Sequence, residues 1–382
     1  MNSHELVNQG NHYRAQDQYD KALECYATAF VIDPENIHAW NNYGNVLREV
    51  GEPKRARPFL QHAIALDPNF VTAHFNLAIA DLLAGNYKDG FDGYEWRWHY
   101  EHLAGTLPVL PKPQWDGSLL KDKTILLTSE QGFGDTIQFI RFVQPLHRQG
   151  ARIKLHTLTG LVPLFAGSFV FDQVTDNIDD VGDYDVWLPL MSLPRLLKTT
   201  LSNLPHELFY IEALSDNQRK WADLLGPKTK MRIGVCWSGR KDNWTNRYKG
   251  VPVDYITDLA KSFPEHEWIN LQVETTELEQ NALDTTNIRQ LPGTIQHWAD
   301  TAGLVHHLDL VISVDTSVAH LAGAMGRTTW IPLTKFAVDW RWQVNTDLSP
   351  WYPSARLFRQ PEFGNWTSVF EAIKKYLSFF KI

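Results

Sequence analysis

The chain has 382 residues, 43% of them hydrophobic and 21% charged, with a formal net charge of −8. That length exceeds a single domain of roughly 100–200 residues and predicts two or three compact units. The acidic balance excludes nucleic acid as the main partner, and no apolar run approaches the ~18 residues of a membrane span. The opening "MNSHELVNQGNHYR" lacks the apolar stretch of a secretory signal, and Cys25 and Cys236 fit no metal spacing or disulfide framework. Both features predict a cytoplasmic protein with two small buried thiols. Fifteen tryptophans are many for this length; most are expected in the core, and the remainder offer flat faces for sugar rings.

Residues 1–100 repeat at an offset of 34. Gly10/Gly44, Ala22/Ala56, Ala29/Ala63, Asp33/Asp67 and Pro34/Pro68 pair, and Ala39/Ala73 and Gly51/Gly85 continue the series. Small residues at a fixed period allow two helices to approach closely, and a proline after each unit stops the helix before it. This is the tetratricopeptide (TPR) pattern. The third unit departs from it, with Gly90 in the slot of Ala22 and Ala56, and Arg97 in that of Ala29 and Ala63. The result is a short helical solenoid, expected either to bind a protein or peptide segment or to pair copies of the chain. Residues 101–120, "EHLAGTLPVLPKPQWDGSLL", read as a proline-rich linker.

Beyond the linker, strands alternate with helices. "TILLTS" is a buried strand, 134–149 a helix, "RIKLHTL" a strand, and "VTDN" and "DYDVWLPL" short strands. A second series follows: "RIGVCWSG", a helix near 253–263, "WINLQ", a helix over 294–308, "LVISV", a helix over 316–325 and "TTWIPL". The alternation predicts parallel sheets covered on both faces, with ligands at the carboxyl ends of the strands.

Three stretches carry candidate chemistry. "EQGFGDT" places Gly132 and Gly134 at a strand-to-helix turn but lacks the third glycine of a dinucleotide loop and the Gly-Lys-Ser/Thr of a P-loop. Asp135 there is either a helix cap or a general base. "VISVDTSVAHLAGAMG" opens a helix at Asp315-Thr316-Ser317, whose free N–H groups suit a diphosphate, with His320 on the face of Thr316. Asp315 would repel phosphate and suits ligand hydroxyls; it too can be a cap. "WSGRKDNWTNRYKGVPV" gathers Arg240, Lys241, Arg247 and Lys249, either a solvated loop or a set of cations aimed at a leaving diphosphate. The pair Asp183/Asp185 reads as a turn. The His306-His307 pair diverges by about 100° on a helix and cannot chelate, so no metal is expected.

Taken together, "GYEWRW", "EQGFGDTIQFIRF", "WSG…NRYKGVPV", "DLVISVDTSVAHLAGAMG" and "DWRWQVNTDLSPWYPSARLFRQ" resemble bacterial TPR proteins that carry a glycosyltransferase family 9, heptosyltransferase-like domain. The resemblance implies an α/β fold of GT-B type after the all-α TPR part. It divides the remainder into a Rossmann-like acceptor-side domain over 121–228, a Rossmann-like donor domain over 229–365 and a C-terminal helix over 366–382 crossing back. It makes Asp135 the catalytic base, with Gln131, Gly132, Gly134 and Gln138 lining its loop. Donor binding falls to Trp237, Ser238, Arg247, Lys249, Asp315, Thr316, Ser317 and His320. Ser317 stands where the family has glycine, and the family's histidine after Gly-Asp falls at Gln138 or Phe139, so the acceptor differs from lipopolysaccharide core. The implied reaction is a metal-independent, inverting sugar transfer from a nucleotide sugar, a substrate and not a cofactor, to a protein or glycan hydroxyl. Two alternatives stay open: a non-catalytic adaptor with a degenerate GT-B part, and a nucleotide-sugar epimerase.

Overall fold

Tetratricopeptide spacing becomes helix packing through the small residues it repeats. A computed structural model describes residues 1–168, 170–205, 207–240, 246–291 and 293–380, with His102 described by its backbone alone. Six helices, α1 (Ser3–Ala15), α2 (Tyr19–Ile32), α3 (Ile37–Glu49), α4 (Pro53–Leu66), α5 (Val71–Leu83) and α6 (Tyr87–Tyr94), pack in consecutive pairs. Ala22, Ala29, Ala39, Ala56, Ala63 and Ala73 are fully buried. A Cβ on Gly10 would lie 2.5 Å from Tyr26, and one on Gly44 would lie 2.7 Å from Leu60, so both positions need glycine for the helices to touch. In the third unit the helix ends early and Arg97 is sealed in, stacked over Tyr94 and Trp98 and paired with Glu95 at 2.7 Å.

This first unit spans 1–109 and also takes in 198–204 and 335–346. Within it Phe336 packs edge-on to Tyr19, the Ala337 N–H donates to the Glu49 carbonyl at 2.9 Å, and Trp340 lies against Tyr87 and Phe91.

The second unit takes the rest of the described chain and holds two parallel sheets. The first runs β3-β2-β1-β4, from β1 (Thr124–Thr128), β2 (Arg152–His156), β3 (Gln173–Thr175) and β4 (Val186–Pro189). The second runs β6-β5-β7-β8-β9, from β5 (Arg232–Cys236), β6 (Glu267–Asn270), β7 (Leu310–Ser313), β8 (Thr329–Leu333) and β9 (Ala355–Arg359). Strands β1, β5, β7 and β8 are buried along their whole length, as strands covered on both faces must be. Helices α7 (Phe133–Phe139), α8 (Val143–Arg148), α9 (Val162–Phe165), α10 (Leu193–Leu196) and α11 (Ser215–Leu225) fall in the first series. The second has α12 (Asn246–Lys249), α13 (Val253–Ser262), α14 (Glu277–Leu283), α15 (Trp298–His306), α16 (Ser317–Ala324) and α17 (Trp366–Phe379).

Several expectations are corrected. The helix over 134–149 is two helices separated by a 3-10 turn over 140–142, and the one over 294–308 begins at Trp298, capped by His297. The linker is only partly a linker: Trp115 is buried, and its N–H donates to the Trp187 carbonyl at 2.8 Å, so the chain before β1 pairs along β4. Helix α17 buries Trp366, Val369, Phe370, Ile373 and Leu377 in the core of the second sheet with α13 and β9, whereas the resemblance had it crossing back to the first domain. Cys236 is buried, but Cys25 is half-exposed. Among the described residues most tryptophans are in the core as expected, five of them fully. No described helix is long and apolar enough to cross a membrane.

Candidate functional site

Strand β1 ends at Thr128, and its loop passes through Gln131 in the left-handed region (φ +59), a conformation that costs a non-glycine residue about 1 kcal/mol or more. Gly132 caps α7 in an extended conformation, and the Asp135 carboxylate accepts its N–H at 2.9 Å. Capping is therefore one established use of Asp135, which is half-buried. Gly132 and Gln131 are exposed. Gly134 serves helix contact instead, since a Cβ there would lie 2.9 Å from His320 Cδ2 and 3.3 Å from Ser317 Oγ. Its missing side chain lets α7, which follows β1 of the first sheet, pack directly on α16, which follows β7 of the second.

Helix α16 starts where β7 stops. Thr316 is the N-cap residue, extended at φ −143, and its hydroxyl meets Ser313 Oγ at 2.9 Å instead of capping its own helix. The α16 N-terminus thus lacks a side-chain cap from Thr316, which suits an outside acceptor such as a phosphate oxygen. Asp315, with its side chain 7% exposed, is paired with Lys249 Nζ at 2.5 Å and has His320 Nε2 at 3.9 Å. On its other side, His320 Nδ1 meets the Tyr352 hydroxyl at 2.8 Å. Lys249 is brought there by α12, a single turn fixed by Asn246, which accepts the Gly239 N–H at 2.8 Å.

Ser238 lies just past the end of β5. Its N–H donates to Gln272 Oε1 at 3.1 Å, while its buried hydroxyl has no partner among the described residues, a polar group that a ligand could satisfy. Arg247 is exposed, stacked on Tyr248 and bonded to its hydroxyl. Lys241 lies outside the described residues, and Arg240 is exposed.

The residues named from sequence thus divide. Gly134, Ser317, His320, Asp315 and Lys249 come together, with Asp135 next to Gly134 in the chain, and Ser238 and Thr316 lie at the carboxyl ends of β5 and β7. Trp237 and Gln138 do not qualify as ligand contacts. Both side chains are fully buried, Trp237 within the second core with its indole N–H donated to Glu279 at 2.8 Å. An apolar strand continuing into its loop carries such a tryptophan inward, and the α7 face bearing Gln138 is turned to the core.

Sequence reasoning missed Arg141, Tyr210, Tyr352 and Gln272. Arg141 is 1% exposed and lies over the rings of Tyr210, Trp351 and Tyr352. Its charge in "QFIRF", amid apolar residues, was the signal available. A cavity of ≈ 350 Å³ lined by Lys228, Arg232, His306, Asp309 and Arg327 lies at the opposite, amino ends of β5 and β7, apart from this chemistry. A smaller one of ≈ 100 Å³, lined by Asn270, Gln272 and Gln290 among others, adjoins the carboxyl end of β6. Asp185, read from sequence as part of a turn, accepts the Thr124 N–H at 2.7 Å and so ties the start of β4 to β1. Among the described residues no three His, Cys, Asp or Glu side chains gather as a metal cluster.

Comparisons agree with this architecture. The repeats match the families described as TPR repeat over residues 10–51 and Tetratricopeptide repeat over residues 37–70. The chain is similar to Protein FlbA of Caulobacter vibrioides, 24% identical over 92% of this chain and 69% of FlbA. It also matches Protein O-mannosyl-transferase TMTC1 of Mus musculus, 36% identical over 74 residues, 19% of this chain but only 8% of that protein. Among solved structures, the E. coli ADP-heptose lps heptosyltransferase II superposes with a TM-score of 0.51 at 13% identity, covering 67% of this chain and 99% of the other. The chain therefore carries tetratricopeptide repeats in its N-terminal helices and, after them, an α/β part with the GT-B fold of that heptosyltransferase.

Proposed function

We propose that the chain is a glycosyltransferase that moves a sugar from a nucleotide-sugar donor to a hydroxyl group, with inversion and without a metal. The observation that carries this reading is the direct packing of α7 on α16, which sets the Asp135 turn beside the Asp315–Lys249 pair and the α16 N-terminus. Asp135 takes the acceptor's proton as that hydroxyl attacks the anomeric carbon. Lys249, Arg247 and the N–H groups at Thr316-Ser317 stabilise the departing nucleoside diphosphate. Asp315, already paired, turns its remaining lone pairs to ligand hydroxyls, and the Ser238 hydroxyl gains a partner.

A polypeptide acceptor is the reading favoured for the repeats. Asn11, Asn42, Asn41 and Asn76 form a continuous chain of amide hydrogen bonds across α1, α3 and α5 that runs from the exposed Asn11 and half-buried Asn42, the two amides open to a peptide, to the buried Asn41 and Asn76. The rival adaptor reading draws on one observation, the use of Asp135 as a cap. Thermal-shift measurements against a panel of nucleotide sugars decide between them: stabilisation by one nucleotide class supports transfer, and silence from every nucleotide and nucleotide sugar favours the adaptor. Product analysis in chelator, with the anomer identified, then tests metal independence and inversion and separates transfer from epimerisation.

A further inference from the structure

The cavity of ≈ 350 Å³ at the amino ends of β5 and β7 is walled by charge: Lys228, Arg232 and Arg327 line it with one carboxylate, Asp309, and with His306 and His307. Two of the cations are matched. Asp309 accepts from Lys228 Nζ at 2.5 Å and from the Arg232 N–H at 2.9 Å, and Glu267 takes Arg232 Nε at 2.7 Å. Arg232 also donates to the carbonyls of Leu225 and Gly226 at 3.4 and 2.8 Å, which answers the negative end of α11. Arg327 is the cation left over. Among the described residues no carboxylate is paired with it, its Nε is buried without an acceptor, and its guanidinium has one hydrogen bond, from Nη2 to His306 Nδ1 at 3.2 Å. A guanidinium can only donate, so His306 Nδ1 accepts and the neutral ring carries its proton on Nε2. Burial pushes the Arg327 pKa down, against the more distant charge of Asp309, yet the group stays protonated. A buried cation without a counter-ion costs free energy that an anion bound beside it offsets.

We propose that this cavity takes the phosphate group of a small hydroxylated phosphomonoester, such as a sugar phosphate. Three donor groups line it: the Arg327 guanidinium, the His306 imidazole and the Lys228 ammonium, which keeps N–H groups to spare beyond the one on Asp309. A phosphomonoester has as many terminal oxygens, a carboxylate one fewer. The volume is at the lower end of the roughly 300–1,000 Å³ of small-molecule sites, so the phosphate leaves room for an organic body. Ala222 and Leu308 are the apolar side chains of the wall, and Asp309 and His307 suit a body that carries hydroxyl groups. The cavity is at the opposite ends of the strands from the Asp315–Lys249 pair. Its ligand is therefore neither donor nor acceptor in the transfer proposed above, and the inference does not rest on that reading.

Isothermal titration calorimetry of the full chain at fixed ionic strength tests the site with the monophosphates of glucose, ribose and glycerol, inorganic phosphate, and the three free polyols. At least one monophosphate should bind more tightly than inorganic phosphate, and the free polyols should not bind. Arg327→Gln should weaken that binding by about 10–100-fold, the worth of a hydrogen bond to a charged group. With no paired carboxylate to orphan, the same variant should melt no lower than wild type without ligand. Ala222→Glu, on the exposed end of α11, adds a carboxylate to the wall and should abolish binding, whether or not Arg327→Gln folds. Monophosphate binding that survives in whichever of these variants folds places the phosphate elsewhere, such as the α16 N-terminus, and overturns the proposal. So does inorganic phosphate that binds as tightly as every ester, or silence from all of these anions. Failure of every nucleotide sugar to bind would sink the proposed function and leave this result standing.

Discussion

Gly134→Ala separates two roles that a glycine-rich loop can play. If Gly134 serves helix packing, the added methyl group meets His320 Cδ2 at 2.9 Å and Ser317 at 3.3–3.5 Å in the protein without ligand. His320 cannot easily yield, since Tyr352 holds its other edge at 2.8 Å. Overpacking of this kind costs about 1–3 kcal/mol, offset by up to about 1 kcal/mol of improved helix propensity, which with the full offset leaves a net cost of up to about 2 kcal/mol. At about 2–4 °C per kcal/mol for a domain of this size, the melting temperature should fall by several degrees. Gly132→Ala is the internal control. Its methyl group meets only Asp135 Oδ2, at 3.2 Å, and its φ of −95° is open to any residue, so its melting temperature should stay within about 1 °C of wild type. Differential scanning calorimetry of both variants without ligand checks the pair. A Gly134→Ala protein as stable as wild type, or a Gly132→Ala protein equally destabilised, would refute the packing argument.

Asp135→Asn can still accept the Gly132 N–H, so stability should be retained while the turnover rate drops by about 10²–10⁴, as loss of a general base requires; wild-type turnover on the true donor would remove Asp135 from the mechanism. Lys249→Met leaves the Asp315 carboxylate buried without its cation and should destabilise the ligand-free protein by about 3 kcal/mol by denaturant titration, much of it recovered in Lys249→Met/Asp315→Asn. Burial alone would raise the Asp300 pKa, but Lys220 at 2.6 Å and the Gln296 N–H at 3.1 Å hold it below the usual carboxylate range. Its stabilisation is therefore complete above the unfolded value of about 4 and is lost as pH falls through the lower folded value, so Asp300→Asn should flatten that part of an acid-unfolding curve and no other. A chain beginning at residue 110 removes Tyr19, Tyr87 and Phe91 from beside Phe336 and Trp340; light scattering should find it self-associated, and Phe336→Ser/Trp340→Ser should reduce that association.

What was legible in the sequence was whatever repeats or alternates. The 34-residue period marked alanines that are all sealed between helices, and the strands β1, β5, β7 and β8 stood out as apolar runs. The two helix starts that meet were also recognisable, because glycine, aspartate and hydroxyl residues at a strand-to-helix turn have few other uses. Strand β9 was not, since "ARLFR" alternates charge with apolar residues over only five positions at the sheet's edge. Trp237 and Gln138 were misplaced because a motif records which residues neighbour a site along the chain, not which way each side chain turns. The Arg141–Tyr210 and His320–Tyr352 contacts join residues far apart in sequence, and no local pattern reveals them.

The excursion of residues 335–346, which leaves the α/β unit after β8, joins the helical unit and returns before β9, bears on how such a chain can have arisen. A repeat array attached at one linker can be gained, lost or exchanged by a single recombination event. Here the aromatic residues that complete the array are encoded more than two hundred residues downstream of it, inside the other unit's gene segment. Exchange at the linker alone would yield a mismatched pair. Inheritance should therefore keep the repeats and this segment together, so that substitutions at Tyr19, Tyr87 or Phe91 are accompanied by changes at Phe336 or Trp340.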